Sequence, residues 1–370
     1  SSKSGPTGHH ALWSAFWDIQ HIPQSLRDDL RILAGERFYD LMSRFSLLVN
    51  RIPTFFEQHC SFRNMCIRKI VVISDKEGKS REIAIGDYWS QSALRPLHQY
   101  LFRQLSRISQ DCTHDQTKWL RKLVPRKGSS FHSIDLTTAT DRFPIAVQKE
   151  VLSIWFGGEF ADAWHRTMVG HPFDSSQGKI SYMTGNPMGL YSSWAVFAVC
   201  HHFFVYLACE RANVNWKKCP YMLLGDDIVI ADDEVAFHYM RILGEWDIPF
   251  NPDKTHSSPR LYEFAKQFIL DETNISPFPI AALYEQRNNL FGSIATIVQE
   301  LLHKDWNSPI WNPISDYLKL VKHWEQGRIS AQLPKLKLGI GVMLHLQGLE
   351  DLGIAIKEYV ASVSKQTPRW

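Results

Sequence analysis

A chain of 370 residues, 44% hydrophobic and 21% charged, carries enough apolar residues for buried cores and excludes wholesale disorder. The formal net charge of +3 neither requires nor excludes a nucleic-acid partner, because binding depends on where cations cluster. The six cysteines, Cys60, Cys66, Cys112, Cys200, Cys209 and Cys219, lack the dense spacing of a disulfide framework and the C-x-x-C pairing of a zinc site.

Over residues 11–59 apolar positions recur at helical steps, with Leu26, Leu30 and Leu33 followed by Phe38, Leu41 and Phe45; this predicts a helical N-terminal lobe. The period changes over residues 68–85. There Ile70-Val71-Val72-Ile73 and Ile83-Ala84-Ile85 flank the polar stretch 75–81, the pattern of a β-hairpin with Lys76, Lys79 and Arg81 at its basic end. Taken alone, such an end is also ordinary solvated turn chemistry. Helical spacing returns over 92–105 and again over 115–123. In the second stretch Lys118, Arg121 and Lys122 share one helical face, with Arg126 and Lys127 just beyond. That face suits a phosphate-backbone track or plain solvation equally. Residues 131–136 form a short apolar strand that delivers Asp135 at its end.

Gly185, Asn186, Pro187 and Gly189 mark a turn before the long apolar run 191–208. Its length would allow a membrane span, but the adjacent His201 and His202 favour a helix buried in a large core. Cys200, His201 and His202 do not form a metal site on such a helix, since consecutive residues point about 100° apart. Met222-Leu223-Leu224 and Ile228-Val229-Ile230-Ala231 flank Gly225-Asp226-Asp227, which predicts a hairpin with carboxylates at its tip. Residues 277–370 are mostly helical in pattern and carry no cluster of catalytic residue types.

Phosphoryl transfer with two divalent ions needs carboxylates on rigid backbone, able to hold ions roughly 3.5 to 4 Å apart. Asp135 at a strand end and Asp226-Asp227 at a hairpin tip meet that need if both elements lie in one sheet. By the two-residue period of a strand, Asp135 and Asp226 should converge while Asp227 points to the other side. Gly-Asp-Asp is also a common turn, expected by chance in roughly 6% of chains of this length.

The tripeptide has company. Ser133-Ile134-Asp135-Leu136-Thr137-Thr138-Ala139-Thr140-Asp141-Arg142 precedes it, Gly185-Asn186-Pro187-Met188-Gly189 lies between, and Lys254 follows. In order and spacing these segments resemble motifs A, B, C and D of viral RNA-dependent RNA polymerases. The wording is similar to the mitovirus branch, also through Gly86-Asp87-Tyr88-Trp89-Ser90-Gln91, Ala93-Leu94-Arg95-Pro96-Leu97-His98 and Glu263-Phe264-Ala265-Lys266. The resemblance covers roughly residues 65–285.

It implies an α+β right hand. Fingers would occupy 1–130 with the basic hairpin at 68–85, the palm 131–270 with motifs A to E and a fingers insertion at about 145–184, and a helical thumb 271–370. Asp135 and Asp226 would bind two ions, Mg²⁺ or Mn²⁺, with Asp227 assisting. Asp141 would read the ribose hydroxyl, helped by Ser192 or Ser193, and Lys254 would protonate the leaving pyrophosphate. Lys79 and Arg81, with Lys76 and Lys69 behind them, would neutralise the incoming triphosphate. The implied partners are an RNA template and product and ribonucleoside triphosphates, with Lys118, Arg121 and Lys122 on the RNA and no membrane span. The implied compartment is the mitochondrion, and the 13 tryptophans fit a mitochondrial code that reads a stop codon as tryptophan. Two alternatives stand beside a polymerase. One is a non-catalytic RNA-binding remnant, which would have no reason to keep Asp135, Asp141, Asp226, Asp227 and Lys254 together. The other is a reverse transcriptase or maturase, where an aromatic residue is expected in the step that Leu224-Gly225 occupies.

Overall fold

The computed structural model describes residues 5–6, 8, 11–51, 66–74, 80–118, 120, 122–287, 289–303, 313–314, 316–317, 328–346 and 351–364. Lys76, Lys79 and Arg121 lie outside them. The chain divides into two compact units, Ser1–Ala265 and Lys266–Trp370.

The first unit opens with helices α1 (Ala11–His21), α2 (Gln24–Ala34) and α3 (Glu36–Arg51). Pro23 separates the first two, since the residue before a proline is driven out of helical backbone. Their apolar faces enclose Ala15, Ile19, Leu26, Leu30 and Met42 around Trp89. Strands β1 (Lys69–Ser74) and β2 (Ser80–Ile85) pair antiparallel from Lys69↔Ile85 to Ser74↔Ser80. Arg81 therefore sits within β2 opposite Ile73 rather than in the hairpin's turn. Helix α4 (Tyr88–Leu105) starts at Asp87, whose carboxylate accepts the Ser90 N–H at 2.7 Å, a regular N-cap.

Strand β3 (Phe131–Asp135) leads into a single helical turn, α5 (Ala139–Arg142), then α6 (Ile145–Phe156) and α7 (Gly158–Val169). Strands β4 (Phe173–Ser175) and β5 (Gly178–Ile180) return to the β1–β2 hairpin and extend it to a sheet of order β2-β1-β4-β5. Helix α8 (Ser193–Arg211) precedes β6 (Tyr221–Leu224), β7 (Asp227–Ile230), helix α9 (Asp233–Glu245), β8 (His256–Ser258) and β9 (Leu261–Phe264). The central sheet runs β6-β7-β3-β8, antiparallel throughout. Helix α8 packs against α4 and α9. It is long and apolar enough to cross a membrane, but 72% of its most apolar stretch is buried in the fold. A helix apolar on every side is what a core surrounded on every side selects.

The helical spacing of residues 115–123 yields no helix among the described residues. Residues 116–118, 120 and 122 are turns, and Asp115 accepts both the Thr117 N–H at 2.9 Å and its hydroxyl at 2.8 Å. A side chain that bonds its own backbone two residues on competes with the helix ladder, and the Leu120 carbonyl is taken by the Tyr262 hydroxyl at 2.6 Å. Lys118 is half-buried and Lys122 exposed, with no helical face to align them.

The second unit holds the pair β10 (Gln267–Leu270) and β11 (Thr273–Asn274), then helices α10 (Ile280–Glu285), α11 (Leu290–His303), α12 (Arg328–Leu346) and α13 (Leu352–Ser364). Ile294, Ile297 and Val298 of α11 meet Leu336, Ile340 and Leu344 of α12 in its core, both sets at three- and four-residue steps.

A buried ionic cluster ties the N-terminal helices to the hairpin sheet. Arg68 and Asp87 are both fully buried with Nε 3.7 Å from Oδ2. The guanidinium also donates to Ser90 Oγ at 3.1 Å and lies 5.6 Å over the Phe173 ring. Asp18 of α1, also buried, accepts the Tyr88 N–H at 2.8 Å. Burial, reinforced by the charge of Asp87, pushes its carboxyl from 3.8 to about 8. A carboxyl with a raised folded pKa holds a proton that the unfolded chain releases, so stability falls as pH climbs from the ordinary carboxylate range toward 8. Asp18→Asn, which mimics the protonated acid, should flatten that decline: its melting temperature relative to wild type rises between pH 5 and pH 8. Parallel melting profiles for the two proteins across that range would show that Asp18 is ionised in the folded state.

Candidate active site

Asp135, the last residue of β3, stands directly opposite Asp227, the first residue of β7, in the antiparallel register. Leu224 and Asp227 close a two-residue loop made of Gly225 and Asp226. Gly225 takes a φ of 61°, and a glycine with positive φ in the first loop position is what the type II′ hairpin uses. The sequence expectation for Asp227 is corrected here. Residues facing each other across an antiparallel pair put their side chains on the same side, so Asp227 shares the face of Asp135, and Asp226 projects from the tip beside them. The strand-period argument fails because Asp226 belongs to the turn and not to a strand.

A second part of the chain wraps onto the end of β3. Thr137 donates its N–H to the Pro249 carbonyl at 2.9 Å and Asn251 donates to the Asp135 carbonyl at 2.8 Å. The turn that follows brings Lys254 Nζ to 3.4 Å from Asp135 Oδ2, with both side chains partly open to solvent. Asp226 is exposed at the tip. Its carboxyl is nonetheless raised above the usual carboxylate range, first by the protein around it and then by the charge of Asp135, while Arg81 of β2 pulls the other way. Among the described residues, Arg81 and Lys254 are thus cations that the structure sets beside the acidic cluster.

Asp141 lies on α5, one turn beyond Asp135. The loop before α8 packs on this turn, with the Asn186 N–H donating to the Thr140 carbonyl at 2.9 Å. Gly185 is required there, since a Cβ would come within 2.2 Å of the Thr140 oxygen. Burial and then the neighbouring Glu82 of β2 raise the Asp141 carboxyl.

The two serines are placed under the loop. The Ser192 hydroxyl accepts the Trp164 indole N–H at 3.0 Å, and the Ser193 hydroxyl donates to Asn186 Oδ1 at 2.7 Å, both buried. In this conformation they anchor the loop rather than present free hydroxyls. Gln91, which closes a segment of the family resemblance but had no role assigned to it, holds the same loop from outside. It donates to the Gly189 carbonyl at 3.2 Å and accepts the Tyr191 N–H at 2.8 Å. Beside it opens a cleft of about 580 Å³ lined by β2, α4 and the loop, with Arg95, His98, Tyr191, Ser193 and Trp194 on its wall. No local signal in the sequence gives Gln91 this role, because its two partners lie about 100 residues away.

The chain is matched over residues 1–336 by the family model for the mitovirus RNA-dependent RNA polymerase. It belongs to that family. The polymerase of Cryphonectria parasitica mitovirus 1 is 38% identical over 202 residues, which are 54% of this chain and 25% of that protein. The aligned region thus spans a quarter of the viral relative. An uncharacterized mitochondrial protein of Arabidopsis thaliana is 33% identical over 192 residues, 49% of this chain and 76% of that protein. Among solved structures, the RNA-dependent RNA polymerase of a human picobirnavirus (an insertion-loop deletion mutant) superposes with a TM-score of 0.51 at 14% identity, covering 78% of this chain and 63% of that one. The fold of this mitovirus-family chain is the right-hand polymerase fold, with an antiparallel sheet flanked by helices.

Gly225 in this polymerase fold has no room for a side chain. A Cβ would lie 2.9 Å from Trp194 Nε1 on backbone already in the left-handed region. Gly225→Ala should destabilise the protein by about 1–2 kcal/mol from backbone strain alone. Gly244→Ala, placed in helix α9 with open space around it, should be neutral or stabilising. Urea unfolding of both variants checks the contrast, and equal midpoints would show that the tip tolerates a side chain.

Proposed function

We propose that this chain is the catalytic core of an RNA-dependent RNA polymerase, joining ribonucleoside triphosphates to an RNA 3′ end on an RNA template. The observation that carries the reading is the set Asp135, Asp226 and Asp227 at one end of the central sheet, within a family of RNA-dependent RNA polymerases. The proposed compartment is the mitochondrion, in keeping with the mitochondrial relative from Arabidopsis thaliana. On this reading residues 1–130 and the segment 145–184 serve as fingers, 131–270 as palm and 271–370 as thumb.

The donor chemistry fits a pair of hard divalent ions. Carboxylate oxygens suit Mg²⁺ and Mn²⁺, and a cation between Asp226 and Asp135 would offset the burial and the neighbouring charge that together raise the Asp226 carboxyl. Among the described residues no group of three or more His, Cys, Asp or Glu side chains is already gathered around one cation position; Mg²⁺ usually takes one or two carboxylates plus substrate phosphates. Asp135 and Asp226 would hold the ions, with Asp227 assisting. When bound, the ions supply Lewis-acid activation of the attacking hydroxyl and neutralise charge on the phosphate.

The chain's own residues supply the rest. Arg81, next to the tip electrostatically, neutralises triphosphate charge together with Lys79. Lys254 gives a proton to the departing pyrophosphate, a role supported by its Nζ lying 3.4 Å from Asp135 Oδ2. Asp141 accepts a hydrogen bond from the ribose 2′-hydroxyl, and Ser192 and Ser193 shape the loop behind it. Lys118, Arg121 and Lys122 contact the RNA backbone. Because Asp226 must ionise to bind a cation and its pKa is raised, ion binding should strengthen as pH rises through that pKa.

Asp135→Asn or Asp226→Asn should slow single-turnover nucleotide addition by roughly a thousandfold, since losing one such ligand forfeits several kcal/mol. A near-normal rate in Asp226→Asn would leave a non-catalytic RNA-binding protein as the better account. Asp141→Ala should narrow the preference for ribo- over deoxyribonucleotides, because an unpaired buried acceptor is what rejects the deoxy sugar. Relative incorporation of the two sugars measures it, and an unchanged ratio with retained activity would remove Asp141 from that role.

A further inference from the structure

Helix α8 buries two adjacent histidines that play no part in the carboxylate set. Each ring is bonded through both nitrogens. His202 Nδ1 lies 2.9 Å from the Tyr221 hydroxyl and Nε2 lies 3.0 Å from Asp111 Oδ2, which ties α8 to the base of the β6–β7 hairpin. His201 reaches the other end. Its Nδ1 is 2.7 Å from the Gly225 carbonyl and its Nε2 is 2.6 Å from the Tyr239 hydroxyl of α9.

We infer that His201 is a positioning residue for the hairpin tip: its Nδ1–H holds the Gly225 carbonyl and thereby sets where the Asp226 carboxylate stands, while Tyr239 fixes the ring's tautomer. The inference rests on the reading of Asp226 as an ion-holding carboxylate. The direction of each bond follows from chemistry. A carbonyl oxygen only accepts, so Nδ1 must carry the proton. In the neutral ring Nε2 then accepts, and the Tyr239 hydroxyl donates to it. Full burial keeps the ring neutral, with its pKa lowered to about 3.

The Gly225 oxygen belongs to the peptide plane that contains the Asp226 Cα, and that plane is rigid. Fixing the oxygen therefore fixes the start of the Asp226 side chain. Gly225 also abuts the Trp194 indole of the same helix, and Leu224 and Asp227 close the loop. The tip is thus clamped between α8 and its own strands. Partners that orient a ligand from behind are commonly worth about 10–100-fold in metal affinity.

A ring that merely fills the core and one that positions the tip are separated by two amide variants. The amide nitrogen of asparagine takes the place of Nδ1 and can still donate to Gly225. The amide of glutamine extends to the Nε2 position and meets Tyr239 instead. Glutamine is the larger, so it leaves the smaller void and should cost less stability. If the ring only fills space, His201→Asn is the more damaged protein in every assay.

If it positions the tip, Mn²⁺ titrated calorimetrically into the RNA-free protein should bind about tenfold more weakly to His201→Gln, while His201→Asn stays within about threefold of wild type. The order of metal affinity is then the reverse of the order of melting temperatures. Equal affinities, or affinities that follow melting temperature, overturn the inference. Asp226→Asn in the same titration separates this outcome from failure of the underlying reading. Weak binding there with a wild-type His201→Gln overturns the role of His201 alone, and unchanged binding in Asp226→Asn overturns the carboxylate assignment beneath it. A nitrogen-15 histidine spectrum of the wild-type protein needs no variant to fold: His201 should be the Nδ1-protonated tautomer, and an Nε2-protonated ring overturns the inference directly.

Discussion

Like charges crowded at one sheet end are costly, and the antiparallel register that sets Asp135 opposite Asp227 forces that crowding. Everything around it serves to hold the arrangement. The core beneath, with Ile134, Ile228 and Ile230 buried under the sheet, gives the strands no freedom to slip by one residue, since a slip would turn their apolar side chains to water. The register is therefore protected by burial, while the repulsion between the carboxylates remains.

Charges of both signs converge on that end from distant parts of the chain. Lys254 arrives through the turn that wraps onto β3, and Arg81 through the sheet containing the β1–β2 hairpin. Glu82, the neighbour of Arg81, acts instead on Asp141. Successive strand residues face opposite ways, so a single strand, β2, delivers positive charge toward Asp226 and negative charge toward Asp141. The hairpin thereby brings charges of opposite sign to the two carboxylates from one element.

Anchorage of that hairpin sheet depends on a second buried ionic group, Arg68 with Asp87, backed by Asp18. Removing either member of a buried pair strands the other charge, whereas the intact pair contributes little net stability. Its worth lies in fixing where β1 begins and where α4 begins, because Arg68 directly precedes β1 and Asp87 caps α4. The same helix α4 carries Gln91, which holds the loop before α8.

The sequence by itself determined the elements whose signals are local. Short apolar runs marked β1, β2, β3, β6 and β7, the Gly225-Asp226 loop marked its hairpin, and helical spacing marked the N-terminal and C-terminal helices. Motif order carried the chain to its family and marked the carboxylates. Tertiary structure alone decided which carboxylates share a face, because that depends on the pairing of β3 with β7, strands more than 90 residues apart. It also decided that the described residues between 115 and 123 are not helical, where a local Asp115 side-chain bond and a distant tyrosine outweigh helical spacing. His201, His202 and Gln91 were illegible for the same reason. A histidine in an apolar helix has the same local pattern whether it fills a core or grips a catalytic turn, and only the fold supplies the carbonyl it grips.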